Sequence, residues 1–462
     1  MFFQKLMNRY HKCATTILAY AMMAVVGFST LGCHVQIEDE QTYAVEEGVA
    51  VTEPVTETLR LTYSDESYTA FFEDCISRYR NTHPEVAVEL NLIDSTGYLE
   101  TIYAESFSSD TVTDVYLTDN ASLGTAYLAG LTSKNIKSPE SEDFCDAALN
   151  ACSYEGAIIG YPLAYRTTFL VYNKAYLTEE EAESISTFDE IEEFAVSIYE
   201  SDEVEGEEAL TEDTAAENET ATEAETEEPI DYSAVEKIFE CNLTDIFLNY
   251  GFLGFGMNIG GEYGSDSSQI VINSAMTRME AQKYVELIDY FSIDTSRTYE
   301  SVLERFLEGK SVFTIVSTDS LATLEAYREE TEGSFEYGVI AFPNFNAGVV
   351  TAPLAITTAL AVNPYSEHSS TASDFAYYVT HNMGRFLYED TGYLSAREYV
   401  TYDYAPIGDI YESYAKSKAK NKLQYGEAIY PMIEIAMHNI VAGEDIETQL
   451  QSVDDYMATQ YQ

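Results

Sequence analysis

Gly160-Tyr161-Pro162-Leu163-Ala164-Tyr165-Arg166-Thr167-Thr168-Phe169-Leu170-Val171-Tyr172-Asn173-Lys174 is the stretch on which the reading of this chain turns. It opens on a Gly-Tyr-Pro turn signal, runs through β-branched and aromatic residues and closes on Asn-Lys. That is the pattern of a strand leaving one sheet and ending at a helix. A polar pair, Tyr165 and Arg166, stands at its bend, and βα units lie on both sides of it.

Upstream, Thr58 to Tyr63 alternates as a strand, and Tyr68, Phe71, Phe72, Cys75, Ile76 and Tyr79 recur at helical spacing until His83-Pro84. Val86 to Leu92 alternates again. A helix carrying Leu99, Ile102, Tyr103 and Phe107 follows, then a strand over Asp114–Thr118 and a helix over Asn120–Ala129 closed by Gly130. Downstream, Thr187-Phe188-Asp189-Glu190 and Ser233-Ala234-Val235-Glu236 both have capping-box spacing. The second predicts a helix that buries Val235, Phe239, Ile246 and Phe247. Strands are expected over 311–316, 337–342 and 354–362, and the last third reads as helical. Strand and helix in alternation predict an α/β protein with a mainly parallel sheet covered on both faces.

At 462 residues the chain exceeds one ordinary core, so two lobes are expected. Lys plus Arg number 23 against 80 Asp plus Glu, a net charge of −57, which repels phosphate backbones and sets nucleic acid aside as a partner. Trp is absent and Tyr numbers 38, so an aromatic recognition surface must come from Tyr and Phe. Residues 1–32 read as a signal peptide, with Lys5, Arg9 and Lys12 ahead of an apolar run. Thr30-Leu31-Gly32-Cys33 looks like a bacterial lipobox with its first two positions exchanged, which makes Cys33 the expected lipidation site. Residues 33–55 read as a flexible tether, and 201–228, nearly all Glu, Asp, Ala and Thr, as a disordered acidic insertion.

Cys145 and Cys152 are candidates for a short disulfide loop, with buried free thiols the alternative. No His or second Cys pair stands at ligand spacing beside them, so neither a metal nor a cofactor is expected. Lys416, Lys418, Lys420 and Lys422 form a basic island that reads as a solvated face, or as a docking surface for an acidic partner.

Taken in order, these pieces resemble a known family over nearly the whole mature chain. An aromatic helix ends in His-Pro-Glu-Val, and Asp114-Val115 precedes a helix ending in Ala-Gly-Leu. Gly-Tyr-Pro is followed by Tyr-Asn-Lys, and Gly260-Gly261 precedes a short strand. Phe-x-x-Gly-Lys-Ser leads an apolar strand, and Tyr-Gly-Val-x-x-x-Pro comes after it. The pattern is similar to the bacterial extracellular solute-binding proteins that serve ABC importers, the maltose- and oligosaccharide-binding family.

The resemblance implies a two-lobe, type II periplasmic-binding-protein-like fold with strands crossing a hinge. The N-terminal lobe would be residues 56–164 and 340–383, and the C-terminal lobe 170–336 and 390–462. Crossings are expected near 164–169, 337–340 and 380–390. It also implies a monomer, lipid-anchored on the outer face of the cell membrane, that captures a carbohydrate and hands it to a permease.

Ligands of α/β sheets sit at the carboxyl ends of strands. That rule picks out Asp65, Asp119, Tyr165, Arg166 and Asp319. Tyr250 and Tyr430 fall where relatives place aromatic platforms. Asp65 and Asp119 also suit helix N-caps, Arg166 an interlobe ion pair, and the two tyrosines a core. Arg166 further raises an acidic sugar as the ligand. No nucleophile elbow, zinc-protease motif or phosphate loop is present, so an enzyme is not expected. A sensing or adhesive lipoprotein and a glycan-active enzyme stand as the alternatives.

Overall fold

The computed structural model describes residues 55–107, 112–139, 142–208 and 230–461, with 199–208 described by backbone alone. The expected signal peptide, Cys33 and nearly all of the expected tether lie outside these residues, as does 209–228 of the acidic stretch. Its first residues do not break from order where composition suggested, because the helix Phe188–Glu208 continues through them. Among the described residues no helix is long and apolar enough to cross a membrane.

Two main sheets carry the fold. Besides short two-residue pairs, the strands are β1 (Glu57–Tyr63), β2 (Val86–Leu92), β3 (Val115–Asp119), β4 (Tyr161–Arg166), β5 (Thr168–Asn173), β6 (Lys237–Glu240), β7 (Ser311–Ser317), β8 (Tyr337–Ile340), β9 (Leu354–Val362), β10 (Leu394–Ser395) and β11 (Lys418–Ala419). A seven-stranded sheet runs β10-β4-β9-β3-β1-β2, with β11 added to β9, and a four-stranded sheet runs β8-β5-β7-β6. The α/β architecture in two lobes is the one the sequence predicts, but the sheets are mixed rather than mainly parallel, because the strands on either side of each crossing return antiparallel to their neighbours.

Alternation explains the first sheet. Leu59, Leu61, Tyr63, Val115, Leu117 and Leu360 face one core with Phe71, Phe72 and Phe375, while Tyr116, Ala359 and Ala361 face the other with Leu123 and Ala126. The second sheet packs Phe239, Phe313 and Ile315 against Ile191, Phe252 and Tyr284. The Phe188–Glu208 helix starts on a reciprocal cap: Thr187 N–H donates to Glu190 Oε2 at 2.8 Å and Glu190 N–H to Thr187 Oγ1 at 3.2 Å.

The quoted stretch does cross between sheets. β4 belongs to the first and β5 to the second, with Thr167 alone between them. The Thr167 carbonyl accepts Thr318 N–H at 3.0 Å, and its hydroxyl donates to the Leu354 carbonyl at 3.1 Å. The chain returns to the first sheet at Leu354, since Phe342, Phe345 and Val349 still pack in the second core. Met383 and Leu387 lie in the first core and β10 pairs with β4, so the chain is still with the first sheet at Ser395, beyond the expected crossing at 380–390.

Three expectations are corrected here. Ser233–Glu236 does not lead a long helix. Lys237–Glu240 instead forms β6, parallel to β7 with Phe239 opposite Phe313, and only Ile246–Asn249 is helical. Being buried on both faces, this strand shows no alternation to read. Cys145 and Cys152 are free thiols. They flank the helix Asp146–Ala151, and seven residues of helical rise separate them by about 10 Å, beyond disulfide reach.

Nor is the lysine island a solvated face. Lys422, 2% exposed, donates to the carbonyls of Tyr263 at 2.6 Å and Asn150 at 3.1 Å, and Lys416 donates to the Phe342 carbonyl. Burial holds both amines down at about 8. Lys418 and Lys420 lie over the rings of Phe255 and Tyr430. Lys416 and Lys422 thus serve the joint between the sheets, while Lys418 stays exposed.

Candidate functional site

Strand direction brings the site together. β1 and β3 are parallel, and β9 is antiparallel to both β3 and β4, so β1, β3 and β4 all end at one edge. β6 and β7 are parallel, and the end of β7 pairs with the start of β5, Ser317 opposite Thr168. The carboxyl edges of the two sheets therefore face one another across Thr167, the arrangement in which α/β proteins hold ligands.

Arg166 and Asp319 meet there. Arg166 Nε donates to Asp319 Oδ1 at 2.7 Å and its Nη2 to Oδ2, a bidentate pair joining the end of the first sheet to the turn after β7. The guanidinium lies 5.4 Å from the centre of the Phe247 ring. Asp65 caps the 3₁₀ turn Glu66–Tyr68 by accepting Ser67 N–H at 3.0 Å, and also accepts the Tyr393 hydroxyl at 2.9 Å. Burial and this carboxylate push the Tyr393 hydroxyl above its ordinary range, so it stays a donor. The Tyr68 ring stacks on Tyr393 at 5.2 Å. Asp245 accepts Phe247 N–H at 2.8 Å, and Glu434 Oε2 accepts Ile246 N–H at 3.0 Å. Aromatic faces, carboxylates and one guanidinium suit a polyhydroxylated ligand, which offers C–H faces and hydroxyls together.

Of the residues singled out from sequence, Asp65, Arg166 and Asp319 come together at this site. Asp119 ends β3 at the same edge and caps the helix Asn120–Leu128 by accepting Ser122 N–H at 2.7 Å. Tyr165 is a correction. It is 1% exposed and stacks on Tyr414 at 4.1 Å, because successive strand residues face opposite ways and its side chain enters the core behind the hinge. Tyr250 and Tyr430 lie 6.2 Å apart and are buried, and Asn421 N–H donates to the Tyr430 hydroxyl at 2.9 Å. As core tyrosines they reach, at an edge, a cavity of about 420 Å³ bounded also by Asp146, Asn150, Glu262 and Lys418. Asp245, Phe247 and Tyr393 were not anticipated, while Tyr68, 3% exposed, backs Tyr393 from the core as its helical spacing suggested. Asp245-x-Phe247 carries a capping signal, whereas nothing local marks Tyr393.

Beside that cavity Glu280, fully buried, accepts Gly256 N–H at 2.9 Å, and burial lifts its carboxyl to about 8. A Cβ on Gly256 would collide with this carboxylate, which fixes glycine there. Between its ordinary value and about 8 the folded chain keeps a proton that the unfolded chain has released. Glu280 therefore lowers stability as pH rises through that window. Glu280→Gln should flatten this fall and raise the urea midpoint at pH 8 by a few kcal/mol equivalent, at about 1.4 kcal/mol per pKa unit. Unchanged pH dependence in the variant would refute the assignment.

Two sheets exchanging strands at a hinge, with polar groups converging on the joint, define a two-lobe ligand-binding protein. The chain belongs to the bacterial extracellular solute-binding protein family, whose model matches residues 75–404. It is 26% identical over 275 residues to the maltodextrin-binding protein MdxE of Bacillus subtilis (strain 168), a match covering 57% of this chain and 55% of that protein. Its fold is shared with the extracellular solute-binding protein of Staphylococcus aureus solved with maltose, at TM-score 0.69 and 17% identity over 88% of this chain and 98% of the other. The maltose-binding protein MalE of Listeria monocytogenes, also solved with maltose, gives 0.65 and 18% over 87% and 97%.

Proposed function

We propose that this protein is the lipid-anchored capture subunit of an ABC importer, binding a carbohydrate between its lobes outside the cell and delivering it to a permease. The observation that carries this reading is the convergence of Asp65, Arg166, Asp319, Phe247 and Tyr393 where the two sheets' carboxyl edges meet. Asp119, Tyr250 and Tyr430 would lie at the margins. The lobes correspond to the two sheets, the first built from residues 56–166 and 354–395 and the second from 168–340 and the C-terminal helices. Anchoring is assigned to Cys33, and the protein acts as a monomer without chemistry.

Capture works by population shift: a ligand that touches both lobes favours the closed form by its differential affinity. Arg166 and Asp319, one from each sheet, are placed to report such contact. The test is thermal unfolding of the full chain against a saccharide panel. A sugar at 100 times its Kd should stabilise by about 2.7 kcal/mol. A panel without any stabilising sugar would overturn the carbohydrate reading.

A further inference from the structure

Behind the joint, on the side away from Arg166, the two lobes touch a second time. Tyr165 and Arg166 point to opposite sides of the crossing strand, and the core that Tyr165 enters also holds Ala148 of the helix Asp146–Ala151. Two residues on, the Asn150 carbonyl accepts the buried Lys422 ammonium at 3.1 Å, and the Tyr263 carbonyl accepts it at 2.6 Å. Cys152 and Tyr154, just after Asn150, fill a core of the first sheet. Tyr263 lies between Ile259 and Ile270, which pack on the core of the second. One ammonium therefore spans both lobes.

The rest of this seam is narrow. Lys422 N–H donates to the Gly264 carbonyl at 2.6 Å, Glu155 N–H donates to Ser265 Oγ at 3.4 Å, and the Tyr263 ring packs over Gly156. Gly124, fifth residue of the helix Asn120–Leu128, approaches Lys422 so closely that a Cβ there would stand 2.6 Å from the Lys422 Cβ and 2.9 Å from its carbonyl oxygen. Glycine is among the poorest residues for a helix interior, and close approach is what requires it here. Beside these contacts lies the cavity of about 420 Å³ that Asp146, Asn150, Glu262 and Lys418 border. A few polar bonds next to a cavity can part without breaking a core.

We propose that this rear seam opposes closure of the cleft, with Lys422 as the clasp that holds the empty protein open and Gly124 leaving it room. Lobes that pivot about the crossing strands cannot approach on the Arg166 side without separating on the Asn150 side. Closing then draws Asn150 from Lys422 and Glu155 from Ser265, and water reaches the ammonium. Within the seam, burial holds that amine down at about 8. Its titratable neighbour is the Cys152 thiol, which burial pushes up to about 12 and keeps neutral. Gly124, Asn150, Tyr263 and Gly264 present only backbone to it, while Asp146, Glu262 and Lys418 stand around the adjoining cavity. A solvated amine returns to the ordinary lysine range, so the titration of Lys422 reports the state of the seam. The inference rests on the two-lobe cleft and is independent of which ligand fills it.

The full ligand-free chain tests it through Gly124→Ala. The added methyl wedges the rear contact, although alanine itself suits the helix better. Small-angle X-ray scattering gives the radius of gyration, and competitive acetylation by acetic anhydride, followed by mass spectrometry, titrates each lysine. In the parent chain Lys422 should react at least about tenfold more slowly than the exposed Lys418, because it must wait for the seam to open. Its half-titration should lie near 8. In Gly124→Ala the radius should fall by a few per cent, and Lys422 should approach the rate of Lys418 and titrate at about 10.4. A wedge that merely damaged the fold would expand the particle. Gly408→Ala, in the helix Pro406–Ala415 with open space around the new methyl, should leave both readouts as in the parent. An unchanged or larger radius, or a Lys422 still protected in the wedged protein, would overturn the role of the seam. No sugar enters the experiment, so that failure leaves the carbohydrate reading standing, and a failed saccharide panel leaves the seam standing.

Discussion

Replacing Arg166 with alanine is expected to weaken saccharide binding by about 10- to 100-fold and to leave the urea midpoint of unfolding almost unmoved. The two effects separate because the Arg166–Asp319 pair is partly exposed, at 39% and 44% of its side-chain surfaces. Such pairs contribute about 0–1 kcal/mol to folding. Toward a ligand the same guanidinium is a fixed fork: Asp319 sets its plane, and the donors it leaves free are aimed rather than wandering. Charge-assisted hydrogen bonds to a bound sugar contribute about 1.5–3 kcal/mol, which is where the loss in affinity comes from. Titration calorimetry beside urea unfolding checks both halves, and an unchanged Kd would remove Arg166 from the site.

Tyr165→Ala should do the reverse. Its ring is fully buried, parallel to Tyr414 at 4.1 Å and edge-on to Tyr411 at 6.0 Å, in the core shared by both sheets. Large-to-alanine changes at such positions cost about 3–5 kcal/mol. The urea midpoint should fall by that equivalent, while the folded fraction keeps its saccharide affinity within a few-fold. Under the proposed function, neighbours in sequence would divide the labour, Tyr165 holding the joint and Arg166 meeting the ligand. A Tyr165→Ala protein that folds normally yet loses binding would invert the assignment.

The fold was legible wherever one face of an element is buried, because periodicity then reports it. Leu59-Leu61-Tyr63 and Phe71-Phe72-Cys75-Tyr79 are examples; the crossing at Arg166-Thr167-Thr168 was instead expected from the family resemblance. It was misread at Lys237–Glu240, where the capping-box spacing of Ser233–Glu236 suggested a helix and the pairing partner Ser311–Ser317 lies some seventy residues on. Ser311–Ser317, buried throughout, was still legible from its β-branched run. Within the site, strand-end residues such as Asp65, Arg166 and Asp319 follow from βα alternation. Tyr393 reaches Asp65 from 328 residues away, and no local pattern announces such a contact. Distance also misled in the other direction. Tyr165 is buried because Tyr414 covers it, and Lys422 looks solvated until Tyr263 and Asn150 are placed around it.

The single residue between Arg166 and Thr168 has a further meaning. Because strand side chains alternate, one peptide unit sets the phase of the second sheet relative to the first. One added residue at this point would turn Phe169, Leu170, Val171 and Tyr172 inside out at once, exchanging the two cores they now fill. Adding two would restore the parity but lengthen the pivot. Sequence drift can therefore reshape the loops around the joint freely, while the joint itself accepts only even steps.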